Sequence, residues 1–220
     1  MAALPILSSV EIRVLGALSE KEMTTPEYYP MTVNAVRVAC NQKSNRHPVV
    51  EYSDEEVLSA LDGLRAKDLA KVVVQTGSRT KKYIHRFREA LHLNRQEQAV
   101  ITLLCLRGPQ TIGELRGRSE RMVTFEDLGE TLRVVEDLAA AGRIPAPLVT
   151  FLERVPGQKE QRVLHLLAGD VEEAAAYYPE TQPSVSPGAA PEESGELRQR
   201  IEDLEERVAR LEAILKELGG

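Results

Sequence analysis

The sequence predicts a mainly α-helical α+β protein: two tandem winged-helix domains followed by a C-terminal coiled-coil helix. Two observations predict this fold class. An amphipathic helix runs directly into a tight two-stranded hairpin twice, at residues 53–87 and 124–167. Each of these segments follows two shorter helical patterns, and three helices followed by a β-hairpin is the order of a winged helix. The predicted divisions are residues 1–90 and 91–170 for the two domains, 171–195 for a linker and 196–220 for the coiled-coil helix.

Helix starts in the first unit are marked by capping boxes. Ser8 with Glu11, and Ser53 with Glu56, fit the S-x-x-E pattern, in which the two side chains satisfy free N–H groups at a helix start. A shorter helix is predicted from about residue 32 to residue 42. The third helix is expected to turn the apolar residues Val57, Leu58, Leu61 and Leu64 inward.

The first hairpin begins at Val72, Val73 and Val74, turns at Gly77 and returns over residues 83–87. In the second unit the turn is predicted at Pro156-Gly157, a type II turn signal.

Helices of the second unit are predicted to begin at Asn94, at the Thr111 and Glu114 box, and at Thr124 with Asp127. The long helix is expected to bury its apolar residues, which are Phe125, Leu128, Leu132, Val135 and Leu138. Leu61 and Val135 align between the units, and so do Glu11 and Glu97. His85 and His165 occupy matching positions in the two return strands.

Composition changes after residue 170. Residues 171–195 hold four prolines among Ser, Glu, Ala and Gly, which is typical of a linker. Residues 196–220 then follow a heptad pattern with β-branched residues and leucine at a and leucine at d, which favours a parallel homodimer, while packing back onto the globular units is the alternative. The seam consists of Leu197, Ile201, Leu204, Val208, Leu211, Leu215 and Leu218.

Charge is uneven along the chain. The net charge is +2 over residues 1–90, −1 over residues 91–170 and −7 over residues 171–220. The two globular units are therefore near neutral, which is unusual for proteins whose main work is to grip phosphate backbones.

The polar stretch after the second helix supplies the first candidate contact residues, Asn41, Lys43, Asn45 and Arg46. Amide and cationic side chains in such a cluster suit contact with phosphate or with a polar partner surface. The alternative is a purely structural helix end, whose free carbonyls are met by these same side chains.

The first hairpin supplies the second set of candidates, Arg79, Lys81 and Lys82, with Lys71 on the opposite strand. A basic wing favours nucleic-acid contact, although Lys and Arg also protect a solvated edge strand from aggregation. The third helices start with carboxylates instead: Asp54, Glu55 and Glu56 in one unit, Glu126, Asp127 and Glu130 in the other. Carboxylates there repel phosphate, so ordinary major-groove reading by either third helix is disfavoured.

The segment EKEMTTPEYYPMTVNAVRVACNQKSNRHPV, which starts at Glu20, closely resembles the signature of the YceH family of uncharacterised bacterial proteins. Its Thr-Thr-Pro block and its Cys-Asn-Gln-Lys-Ser-Asn-Arg run match nearly contiguously, and Met31, Val33 and Val36 stand where that family tends to have Leu. The likeness extends over roughly residues 8–170. It implies two winged-helix domains and brings no catalytic or binding residues with it.

No catalytic or metal motif of any strength is present in the sequence, so we expect a non-enzymatic protein without a cofactor. No apolar run approaches the ~20 residues that span a bilayer, and two scattered cysteines fit a reducing cytoplasm. Two functions remain open: a DNA-associated regulator that binds through the basic wing and the 41–47 segment, and an adaptor that presents winged-helix surfaces to protein partners.

Overall fold

Seven α-helices and two short antiparallel strand pairs make up the part of the chain that the computed structural model describes, which is residues 4–74, 80–154, 160–169, 171–172 and 178. The helices are α1 (Ser9–Thr24), α2 (Val33–Cys40), α3 (Asp54–Ala66), α4 (Phe87–Leu91), α5 (Arg95–Arg107), α6 (Ile112–Ser119) and α7 (Leu128–Ala139). The strands are β1 (Ala70–Val73), β2 (Lys82–His85), β3 (Val149–Phe151) and β4 (Val163–His165). The chain is thus an α+β protein, as expected.

The same order of elements occurs twice. Helices α1, α2 and α3 precede the β1–β2 pair, and helices α5, α6 and α7 precede the β3–β4 pair, with a 3₁₀ turn (Pro26–Tyr28) and α4 as additions in the first half. Before Pro183 the described residues form one compact unit. The division into residues 1–90 and 91–170 stays a prediction.

Helices α1, α3, α5 and α6 begin at their predicted caps. The Ser8 hydroxyl accepts from the Glu11 N–H and the Glu11 carboxylate accepts from the Ser8 N–H, at 3.3 and 2.8 Å, and the Ser53, Asn94 and Thr111 caps repeat this reciprocal pattern. For α7 the cap is Asp127, whose Oδ1 accepts from the Glu130 N–H at 2.7 Å. The helix therefore begins at Leu128, and the predicted start at Thr124 is wrong, because Asp127 supplies the cap three residues later.

Both strand pairs place a histidine at the same register. His85 pairs with Ala70, the first residue of β1, and His165 pairs with Val149, the first residue of β3. A third segment joins each return strand through one bridge, Met31 with Tyr83 and Gln110 with Val163. The predicted turns at Gly77 and Pro156-Gly157 lie outside the described residues. Strand β2 ends at His85, since Phe87 begins α4 rather than extending the strand to residue 87 as predicted.

The core is centred on α1 and α5, which pack against each other. Residues 11–19 of α1 and 97–106 of α5 are buried without a break, so neither helix has a solvent-facing stripe over those stretches. Leu61 and Val135 are fully buried at their equivalent places in the two halves. No helix among the described residues has the length and apolar character needed to cross a membrane.

A buried polar network crosses the α1–α5 contact. The Ser19 and Thr102 hydroxyls lie 2.7 Å apart, and Gln98 Nε2 donates to Ser19 Oγ at 2.9 Å and to Glu22 Oε2 at 3.0 Å. Nε2 of His85 lies 2.9 Å from the same Glu22 oxygen, and its Nδ1 accepts from the Phe87 N–H, so Nε2 carries the proton. This hydrogen bond from His85 lowers the pKa of Glu22 to about 2.

Three leucines expected in the core are exposed. Leu58, Leu128 and Leu132 keep 41, 53 and 36% of their surface in contact with solvent. The buried line of α7 runs through Thr131, Val134, Val135 and Leu138, so Leu132 lies about 100° round the helix from it and Leu128 lies in the first turn. The same one-residue offset from Val57 takes Leu58 out of the core.

Candidate functional site

The segment after α2 is anchored by its amide and arginine side chains. Asn41 pairs with the backbone of Tyr52 in both directions, donating from Nδ2 to the carbonyl at 2.8 Å and accepting at Oδ1 from the N–H at 2.9 Å. Asn41 therefore fastens the end of α2 to the residue before the Ser53 cap.

Arg46 is also committed to the protein interior. Its side chain has no solvent exposure and forms a two-pronged ion pair with Glu20, at 3.0 and 2.5 Å, while Nε donates to the Ala39 carbonyl at 3.1 Å. Arg13, buried beside it, donates to the Cys40 carbonyl at 3.1 Å. These two arginines satisfy the carbonyls of the last turn of α2, which is the structural alternative that the sequence left open.

Lys43 and Asn45 face outward from the same segment. Both are exposed, and Asn45 has a left-handed backbone with φ of 60°. The Asn45 side-chain oxygen accepts from Nη2 of Arg107, which lies 62 residues further along the chain. The segment thus meets the end of α5.

This meeting creates a cleft of about 550 Å³, for which residues 42–45 form one wall and α1, α5 and the end of α6 form the others. Among the residues that the structure describes, five cationic side chains and a single carboxylate, Glu20, line it. The cations are Lys21, Lys43, Arg107, Arg118 and Arg121. We call this the basic cleft.

The cations of the basic cleft differ in how many hydrogen-bond and ion-pair partners they have. Arg118 donates to Gln110 Oε1 at 2.9 Å and to Glu114 Oε1 at 3.2 Å. Lys43 and Arg121 form no ion pair within the described ranges. Burial, then the nearby charges of Arg118 and Arg46, lower the pKa of Arg107. Positive charges held this close together favour the binding of an anion.

The sequence did not point to the arginines of this cleft. Arg107, Arg118 and Arg121 are separated from Lys43 by more than sixty residues, and only the α1–α5 packing brings them together. The one available signal was the run LRGRSER at residues 115–121, which places three arginines near the end of α6.

The first hairpin has a basic outer face. In the register of β1 and β2, Lys82 is directly opposite Val73, so side-chain alternation places Lys71 and Lys82 on one face and Tyr83 and His85 on the other. Tyr83 and His85 are buried, whereas Lys71 is exposed and Lys82 half-buried. Lys81 is exposed just before the strand, and Arg79 lies outside the described residues.

The described strands of the second hairpin have no equivalent face. Leu164, which occupies the position corresponding to Ile84, is fully buried, as are Val163 and His165. Only the first hairpin therefore presents a solvent-facing basic side within the described strands.

The two basic regions lie at opposite ends of α2. Met31, just before α2, bridges to Tyr83 of the hairpin, whereas residues 41–47 follow its last turn. Eight helical residues separate the two ends by roughly 12 Å. The basic cleft and the hairpin are therefore about one helix length apart.

The starts of both third helices are acidic, as predicted. Asp54, Glu55 and Glu56 are exposed, and Glu56 is engaged in capping, accepting from the Ser53 N–H at 2.8 Å. Arg37 lies 2.7 Å from Asp54 and partly offsets its charge.

The cysteine thiols and His165 are buried in the described part of the chain. Burial raises the pKa of the Cys40 thiol to about 12, and Cys105 is buried as well, with its pKa also raised. No group of three or more His, Cys, Asp or Glu side chains in these parts of the chain is arranged to hold a metal ion. His165 lies instead 3.2 Å from the Tyr178 hydroxyl.

Comparison with known proteins extends the resemblance seen in residues 20–48. The profile of a family described as "Protein of unknown function, DUF480" matches residues 7–158. A UPF0502 protein of Opitutus terrae is 53% identical over 173 residues, which cover 79% of this chain and 74% of that protein. The UPF0502 protein YceH of Escherichia fergusonii is 42% identical over 221 aligned positions, covering 97% of this chain and 98% of its own length. The chain therefore belongs to the DUF480 family of proteins of unknown function, in which its relatives include YceH.

Proposed function

We propose that the chain is a non-enzymatic protein of two tandem winged-helix domains that associates with DNA through the first hairpin. The twofold order of three helices and a strand pair supports the winged-helix assignment, as does the bridge that each return strand makes to a third segment. The basic outer face of the first hairpin, with Lys71 and Lys82, is the observation that carries the functional proposal.

Binding through this face uses phosphate contacts. Lysine ammonium groups on an exposed strand reach the DNA backbone as point charges, which gives affinity without sequence information. The carboxylates at the start of α3 keep that helix out of the groove. DNA association is therefore weak, dependent on salt and tolerant of sequence.

A salt titration tests this proposal. Replacing Lys81 and Lys82 with alanine should weaken binding of duplex DNA and lower the slope of log K against log salt by about one unit for each lost phosphate contact. Arg133→Ala with Arg154→Ala, which removes two exposed charges elsewhere, should leave the slope unchanged. Absence of measurable binding at ~50 mM salt would overturn the DNA proposal.

That negative result would favour a protein-interaction adaptor, which one observation supports. Leu58 and Leu132 occupy equivalent positions on α3 and α7, and both are exposed beside acidic residues. A leucine within a carboxylate-rich helix face suits a protein partner better than a phosphate backbone.

The heptad seam at residues 196–220 supports a homodimer as a further part of the proposal, although it lies outside the described residues. Deleting these residues should convert a dimer into a monomer when mass is measured by light scattering across a concentration series. An unchanged mass would exclude this segment as the dimerisation element.

A further inference from the structure

The basic cleft concentrates positive charge in a way that the hairpin proposal does not use. Its walls place Lys21, Lys43, Arg107, Arg118 and Arg121 around one concave space. The Glu20 carboxylate, which also lines the cleft, is already held by both prongs of the buried Arg46 guanidinium. Lys21 pairs with the same Glu20 at 3.8 Å and Arg118 with Glu114 at 3.2 Å, so Lys43, Arg107 and Arg121 are the cations without an ion pair within the described residues. The low-dielectric walls strengthen the attraction of these three charges for an anion.

Two of the five cations are held in place before any ligand binds. Gln110 and Glu114 fix the Arg118 guanidinium, and Asn45 fixes that of Arg107. Planar guanidinium groups held in this way suit the oxygens of a phosphate group, which accept hydrogen bonds in pairs. Lys43 and Arg121 are exposed at the rim, where they are able to close over a bound group.

An apolar patch completes the cleft. Leu103, Leu106 and Met122 line it and are nearly buried, with exposures of 5, 1 and 7%. The volume of about 550 Å³ falls within the range of small-molecule sites. The cleft thus offers a cationic region for phosphate above a small apolar floor.

A nucleic-acid strand fits this arrangement less well. A duplex is convex and presents its phosphates on an outer surface, whereas the cleft is concave and small. Sites for single strands use aromatic side chains on which successive bases stack. The cleft has no aromatic side chain among its described lining residues.

From this arrangement we propose that the basic cleft binds a small phosphorylated molecule of nucleotide size, with Arg107, Arg118, Arg121 and Lys43 contacting its phosphates. The site lies at the other end of α2 from the hairpin face. A molecule bound there would act as an effector of the protein and not as part of its DNA contact. This inference does not depend on the hairpin binding DNA.

Isothermal titration of the full chain with ATP, AMP, inorganic phosphate and adenosine tests the proposal. ATP should bind at one site per chain, AMP more weakly and adenosine not at all. Lys43→Ala combined with Arg121→Ala should weaken ATP binding at least tenfold. Because both residues are exposed and unpaired within the described chain, their replacement should leave the fold intact, as circular dichroism would verify. Lys81→Ala with Lys82→Ala is the charge-matched control and should bind ATP as the parent does.

Three results would overturn the inference. The first is equal binding of AMP and adenosine, since phosphate would then contribute nothing. The second is the absence of binding by all four probes at ~1 mM. The third is a single-stranded oligonucleotide that binds more tightly than ATP and loses affinity in the same cleft variant, because the site would then belong to nucleic acid.

Discussion

Replacing Arg46 with alanine should lower the free energy of unfolding by about 3 kcal/mol, since removing one partner of a buried ion pair leaves the other charge uncompensated. The Arg46 side chain is fully buried and Glu20 is only 14% exposed. The substitution also removes the hydrogen bond to the Ala39 carbonyl at the end of α2. Chemical denaturation monitored by circular dichroism measures the change.

Lys43→Ala is the matched control, because Lys43 lies in the same segment but is exposed, and it should shift stability by less than about 0.5 kcal/mol. Glu20→Gln combined with Arg46→Ala should recover part of the loss, since the stranded charge is gone. If Arg46→Ala were as stable as the parent and lost ligand binding instead, the structural role of Arg46 would be wrong.

Acid should destabilise the protein through His165 between pH 6.5 and pH 4. Complete burial lowers the pKa of His165 to about 4, from 6.5 in its ordinary state. Between pH 6.5 and pH 4 the unfolded chain therefore binds a proton at this histidine that the folded chain does not bind. The free energy of unfolding falls as the pH drops through this window. The full effect is about 3 kcal/mol, with stability retained above pH 6.5.

Measuring unfolding free energy at several pH values for His165→Gln tests this window. The variant should show a flatter dependence between pH 6.5 and pH 4, whatever its absolute stability. His92→Asn is the control, because His92 is exposed and has a left-handed backbone that asparagine tolerates. An equally steep dependence in His165→Gln would place the acid sensitivity elsewhere. Glu22, with its pKa near 2, adds its own loss only below about pH 4.5.

Local features of the fold were predictable because their chemistry is contained within a few residues. A capping box needs only positions i and i+3, so Ser8, Ser53 and Thr111 marked three helix starts correctly. The equivalent positions of His85 and His165 were also predictable from sequence, because each histidine lies at the same place in its short return strand. The family resemblance was readable for the same reason, since its motif is contiguous.

Features that depend on how helices meet were not predictable. The apolar pattern of α3 and α7 indicated an inward face but did not fix its width, so Leu58, Leu128 and Leu132 were assigned to the core. The basic cleft depends on which side of α6 turns toward residues 42–45. Spacing along the chain carries no information about that orientation. The residues next to Arg46 in the sequence likewise did not show whether its side chain would extend into solvent or pair with Glu20.

The unbroken burial of residues 11–19 in α1 affects how this protein tolerates mutation. An ordinary surface helix accepts polar replacements at every third or fourth position, so neutral substitutions accumulate on its exposed face. In α1, nine successive residues are buried, so this stretch has no exposed face on which substitutions are tolerated. Helix α1 therefore shares with α5, whose residues 97–106 are buried in the same way, the lowest tolerance of replacement in the described chain.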